Sequence, residues 1–122
     1  MTAPNLGSLL VGTSQVDAMK DWYRSCFAPE ENDMGAFVFG NTQLFVEEHS
    51  EVSGPNGDAH RIILNLDVAD CRGLQQHLIG QGVTWIRDVE QMPFGLIGTV
   101  ADPDGNLVQI IEWGATPDEG HG

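Results

Sequence analysis

Basic residues are what this sequence has least of. Five lysines and arginines stand against eighteen aspartates and glutamates, a formal net charge of −13 at pH 7. Such a chain lacks the phosphate-neutralising face that nucleic acid or an anionic membrane requires, and its field draws cations instead. No nucleic-acid and no membrane partner is expected. Cysteine is scarce too: Cys26 and Cys71 are the only two. Both fall at apolar positions of helical patterns, which reads as two reduced, buried thiols rather than a disulfide framework. No apolar run nears the roughly 20 residues of a membrane span. The opening "MTAPNLGSLL" has neither the basic nor the apolar region of a signal peptide. A cytoplasmic protein is the expectation. Also missing are a Gly-rich phosphate loop, a Cys-x-x-Cys pair and a serine in an elbow motif.

What is present is a pattern that occurs twice. "SLLVGTS" alternates as a strand, and Val16, Met19, Tyr23, Cys26 and Phe27 then share one face of a helix over 16–27. Ser14 with Asp17 reads as a capping-box start. An offset of about 55 residues carries Leu9 and Val11 onto Leu64 and Leu66 of the strand "HRIILNLDV". It also carries the helix face onto Cys71, Leu74 and Leu78, and "FVFG" onto "MPFG". "GAFVFG", "TQLFVEEH", "VTWIRDV" and "FGLIGTVA" are further strands, and the Gly- and Pro-containing "SEVSGPNGDA" is a linker. The expectation is one domain over 1–114, built of repeats at about 7–55 and 59–113, with a flexible tail at 115–122. Each repeat has one helix for a sheet of three or four strands, so one sheet face is left without helical cover. That face is where a ligand pocket belongs.

The stretch "TVADPDGNLVQIIEW" is a turn feeding an apolar strand: Pro103 fixes φ, and Gly105 tolerates positive φ. Asp102 and Asp104 read as turn-capping groups. Gln109 interrupts the apolar run and needs a partner, such as water, a ligand or a metal. Asn65, in the middle of the fifth strand beside Ile63 and on the same face as Arg61, is a site candidate on the same ground. A place at a dimer interface is the open alternative for it.

Paired units of this size, the early Trp22-Tyr23 pair and the segment "PFGLIGTVADPDGNLVQIIE" resemble the vicinal oxygen chelate superfamily of glyoxalases, bleomycin-resistance proteins and extradiol dioxygenases. The resemblance spans Gly7 to Trp113. It implies an α+β fold of tandem βαβββ modules forming a curved mixed sheet with helices on the convex side. It also implies four inward positions that carry His or Glu ligands in metal-dependent members. Here they fall on Ser8, Phe45 (or Leu44, with Glu47 two residues on), Ile63 and Gln109. Those side chains do not make a divalent metal site, which needs carboxylate or imidazole donors. No metal and no cofactor is therefore expected. A displaced site from His60, Glu47 and Gln109 requires a strand bulge at His60. His49, His60, His77 and His121 read as solvated surface histidines.

The reading that follows is a metal-free binding protein that sequesters a small molecule, as the resemblance to bleomycin-resistance members implies. Its candidate ligand-binding residues are Ser8, Phe45, Glu47, Ile63, Asn65, Phe94, Gln109 and Trp113. An amphiphilic aromatic guest, cationic in view of the net charge, is the expected ligand, and a homodimer the expected assembly. Two alternatives stay open. One is a metal-dependent lyase, isomerase or dioxygenase with a displaced site; the other is a non-catalytic dimeric domain whose pocket its own side chains close.

Overall fold

A computed structural model describes residues 2–116. The tail expected at 115–122 lies outside the described residues from 117 onward, as does His121. The chain divides between Gly54 and Pro55 into two compact units.

The first unit holds β1 (Ser8–Thr13), α1 (Val16–Phe27), β2 (Glu30–Glu31), β3 (Phe37–Phe39) and β4 (Thr42–Glu48). Its sheet runs β1-β4-β3-β2, with β1 parallel to β4 and the other pairs antiparallel. The short β2 was not legible in the sequence. Met19, Tyr23 and Cys26 recur at helical spacing and are buried. They meet the Leu44 and Val46 side of β4, both buried as well. Tyr23 packs on Phe37 at 6.2 Å and Phe27 on Phe39 at 6.5 Å, so the aromatic residues of β3 belong to this core. Burying each such side chain contributes about 1.5–3 kcal/mol. The helix stops where Ala28 turns left-handed (φ 46°) and Pro29 follows. Its start corrects the sequence reading. Gln15, not Ser14, is the N-cap, without a side-chain cap bond, and the Thr13 hydroxyl accepts the Gln15 N–H at 3.0 Å.

The second unit repeats the topology with β5 (Ile63–Asp67), α2 (Cys71–Gln81), β6 (Thr84–Met92), β7 (Gly95–Ala101) and β8 (Leu107–Trp113). The order is β5-β8-β7-β6, with β5 parallel to β8. Asp70 caps α2 by accepting the Gly73 N–H at 3.0 Å, and Gly82 ends it at φ 72°. Val108 and Ile110 lie fully buried on the α2 side of β8. Trp85 and Val89 close on the same side, because Gly98 of β7 has no side chain: a Cβ there would stand 2.8 Å from Val89 and 3.3 Å from Trp85. Among the described residues, two α-helices and two four-stranded mixed sheets make the α+β architecture that the resemblance implied. One boundary is corrected. His60 and Arg61 are not in the fifth strand but in a 3₁₀ turn, Ala59–Arg61, where Arg61 pairs with Asp58. The Arg61 N–H donates to the Asp58 carbonyl at 3.2 Å, the three-residue bond that closes such a turn.

Candidate functional site

Strand alternation sorts the second sheet into a helix face and a helix-free face. Val108, Ile110 and Glu112 lie on the first, and Leu107, Gln109, Ile111 and Trp113 on the second. Cross-strand partners share a face, so the register identifies what surrounds Gln109. Asn65 of β5 stands on one side of it and Thr99 of β7 on the other. Beyond Thr99 stands Arg87 of β6. One polar row, Arg87–Thr99–Gln109–Asn65, thus crosses all four strands. The rows beside it are apolar at their centres: Ile97 and Ile111 on one side, Ala101 and Leu107 on the other.

Burial differs along the row. Thr99 is 3% exposed, Gln109 half-buried and Asn65 exposed. β5 is an edge strand of its sheet, so Asn65 reaches water. That corrects the sequence argument, which treated it as a mid-sheet amide in need of a partner. Among the described residues, the side chains of Gln109 and Asn65 hold no hydrogen bond to a protein group. Ile63 pairs with Leu107 on the same face and is half-buried.

Trp113 and Phe94 mark one end of that face. Trp113 is 60% exposed, donates its indole N–H to Asp67 Oδ1 at 2.8 Å, and packs on Phe94 at 5.2 Å. Phe94 sits in the β6–β7 turn, which presses against the end of β8 through the bond from Gly114 N–H to Phe94 O at 2.8 Å. On the opposite face, Glu112 Oε1 accepts the Cys71 N–H at 2.8 Å and places a carboxylate at the start of α2, where the helix dipole favours it.

Ser8, Phe45 and Glu47 lie on the helix-free face of the first sheet. Phe45 pairs with Leu10, Glu47 with Gly12, and Ser8 with Gln43. Phe45 is half-buried, while Ser8, Glu47 and Leu10 are exposed. The eight expected residues therefore divide three to five between the two sheets, all on helix-free faces except Phe94, which stands in a turn.

The donor chemistry does not fit a divalent metal. The four positions offer a hydroxyl, a phenyl ring, an alkyl chain and a neutral amide. Among the described residues no three His, Cys, Asp or Glu side chains gather as a metal centre requires. Asp102, 4% exposed, is a turn residue: Oδ1 accepts the N–H groups of Asp104 and Asn106, each at 2.9 Å. The thiols are equally remote from chemistry. Burial pushes Cys26 up to about 11, and burial, then the Glu112 carboxylate, raises Cys71.

Sequence reasoning missed Thr99 and Arg87. Thr99 could have been found from its place two strands from Asn65, once the sheet order was known. Arg87 could not be found by alternation, which puts it on the face of Trp85. Register shifts on both sides of Arg87 re-aim it toward the helix-free face. Its own contacts agree: it pairs with Glu90, the partner of Ile97, and its Nη2 reaches Met92 Sδ at 3.4 Å.

A family model described as the Glyoxalase/Bleomycin resistance protein/Dioxygenase superfamily matches residues 5–110. Among solved structures, a family enzyme from Burkholderia phytofirmans PsJN superposes with a TM-score of 0.73 at 20% identity, covering 90% of this chain and 99% of that one. TnmS3, an antibiotic binding protein from Streptomyces sp. CB03234, gives 0.71 at 19% identity, with 93% and 98% covered. Lactoylglutathione lyase from Agrobacterium tumefaciens gives 0.67 at 15%, with 92% and 96% covered. At these identities the likeness is one of fold. No curated protein matches the sequence.

Proposed function

We propose that this chain, which belongs to the glyoxalase/bleomycin resistance protein/dioxygenase superfamily, is a metal-free small-molecule binding protein. One observation carries the reading: at the centre of a helix-free sheet face stands a neutral, half-buried amide, Gln109, between apolar rows. A carboxylate there would favour a cation; an amide offers a donor and an acceptor to a ligand and no charge to a metal. Apolar surroundings with a few convergent polar groups are the composition of a ligand site. The guest in this reading is an amphiphilic aromatic molecule, held as an antibiotic is by a sequestering protein. TnmS3, of like fold and described as an antibiotic binding protein, supports that choice. The protein acts as a homodimer without cofactor, and the charge of −13 concentrates cations near its surface. A metal-dependent lyase, isomerase or dioxygenase needs donors that the four positions do not supply.

The test is elemental analysis of purified protein, followed by NMR titration with small aromatic amides. The expected result is no stoichiometric Zn, Ni, Mn or Fe. Amide shifts should cluster at Ile97, Thr99 and Gln109, and Gln109→Ala should weaken binding several-fold without lowering the melting temperature. About one metal per chain, or shifts scattered over the surface, would overturn the reading.

A further inference from the structure

The polar row has a direction. Arg87 is one of only five basic residues in the chain, and it stands in register with Thr99, next to Gln109. Its guanidinium carries five N–H donors and no acceptor. Glu90 takes the one on Nε, and Met92 Sδ faces Nη2. Among the described residues Nη1 has no partner, so its donors point to no protein acceptor. Side-chain exposure of 37% leaves Arg87 reachable from outside. Thr99 adds a hydroxyl, and Gln109 and Asn65 each add an amide N–H pair. Strands about 4.8 Å apart put the two ends of the row some 14 Å from each other, about the length of a two- or three-ring aromatic molecule.

From this placement we infer that Arg87 sets the polarity of the ligand: the guest lies across the apolar rows and turns a carbonyl or carboxylate edge to Arg87, Thr99 and Gln109. The inference rests on the binding reading above and adds the ligand's chemical class. It also runs against the net charge. The long-range field favours cations, but salt screens exposed charges beyond about 8 Å at physiological ionic strength. A charge-assisted hydrogen bond acts at contact distance, and such bonds are roughly twice as strong as neutral ones. At the row itself, the donor decides. Glu90 opposes it by occupying part of the guanidinium, so Glu90 should act as a brake on acid binding.

Three matched probes separate the possibilities: 2-naphthoate, 2-naphthamide and 2-naphthylmethylamine, titrated by calorimetry and NMR into the full chain at 0.15 M salt. The acid and the amide should bind at least about tenfold tighter than the amine. Arg87→Met should erase that preference. Glu90→Gln should tighten 2-naphthoate several-fold, a gain that loss of folding cannot imitate and that keeps the inference testable if Arg87→Met is unstable. If the probes bind at Gln109 but the amine binds as well or better, or Glu90→Gln leaves 2-naphthoate unchanged, Arg87 does not set the polarity while the binding reading stands. If none of the three shifts any residue of the row, the binding reading fails and this inference with it.

Discussion

Gly95 begins β7 and is the position where the second unit tolerates a side chain least. Its φ is +146°, and a Cβ there would lie 2.1 Å from the Glu112 carbonyl oxygen and 3.1 Å from Gly114 N. Both obstacles are backbone, so no rotamer change relieves them. Two costs follow for Gly95→Ala. The conformation is one that L-residues avoid, at about 1–3 kcal/mol. The strands must also separate by roughly 1 Å at the Gly95–Trp113 pair, which endangers the Gly114 N–H bond to Phe94 O, worth about 1 kcal/mol. Together these reach about 2–4 kcal/mol, against a typical total stability of about 5–15 kcal/mol. Gly40→Ala is the matched control. Gly40 also has positive φ, +58°, but nothing lies within 4 Å of its would-be Cβ, so about 1–2 kcal/mol is expected. Urea unfolding followed by tryptophan fluorescence measures both, and Trp113, packed on Phe94, reports the local damage. A Gly95→Ala loss no larger than the Gly40→Ala loss would refute the argument from close approach.

Three further predictions concern the thiols and the assembly. Native Cys26 and Cys71, buried and with raised pKa, should react with iodoacetamide at pH 8 at least about tenfold more slowly than the same thiols in denaturant. The linkage follows from the same shift: below about 9 both states keep the Cys26 proton, and from 9 to about 11 only the folded state does, so stability should fall as pH rises through that window. Rapid native labelling, or stability flat to pH 11, would count against both statements. Sedimentation equilibrium at micromolar concentration should give about twice the chain mass of 13.2 kDa, and a mass of one chain would remove the dimer from the proposal.

Much of the fold was legible because period and punctuation agreed. The α1 face, the Asp-Pro-Asp-Gly-Asn turn and the apolar run of β8 are local signals, and each local choice agreed with the final topology. The failures were of two physical kinds. One was competition at a chain end. At the start of α1, Thr13 took the N–H of Gln15 while Ser14 was left outside the cap. At the start of β5, the Arg61 N–H bond to the Asp58 carbonyl at 3.2 Å closes a 3₁₀ turn in an extended-looking sequence. The other was sheet order. Asn65 was read as central because it stands in the middle of its strand, yet that strand is an edge, and no feature of "ILNLD" alone says so. The Arg87 side of the candidate site was hidden for a third reason. A bulge adds a residue without any fixed composition, and every later assignment of face along β6 depends on it.

The period of two also explains how one fold can carry or lose a metal site. Along β8 the residues that hold α2, Val108, Ile110 and Glu112, alternate with those on the helix-free face, Leu107, Gln109, Ile111 and Trp113. The fold is specified by the first set: two fully buried aliphatic chains and a carboxylate that caps the helix. Of the second set, Gln109 is the polar residue that β8 places at the centre of this face. Exchanging an amide for a carboxylate at such a position alters charge and donor type while leaving the helix-side packing intact. The same reasoning applies to Ser8 and Phe45, which lie opposite Leu44 and Val46 in the alternation of the first sheet. A chain of this superfamily can therefore keep its fold with none of the usual ligands. What remains at those positions, a hydroxyl, two apolar groups and an amide, is the basis on which an organic guest is proposed.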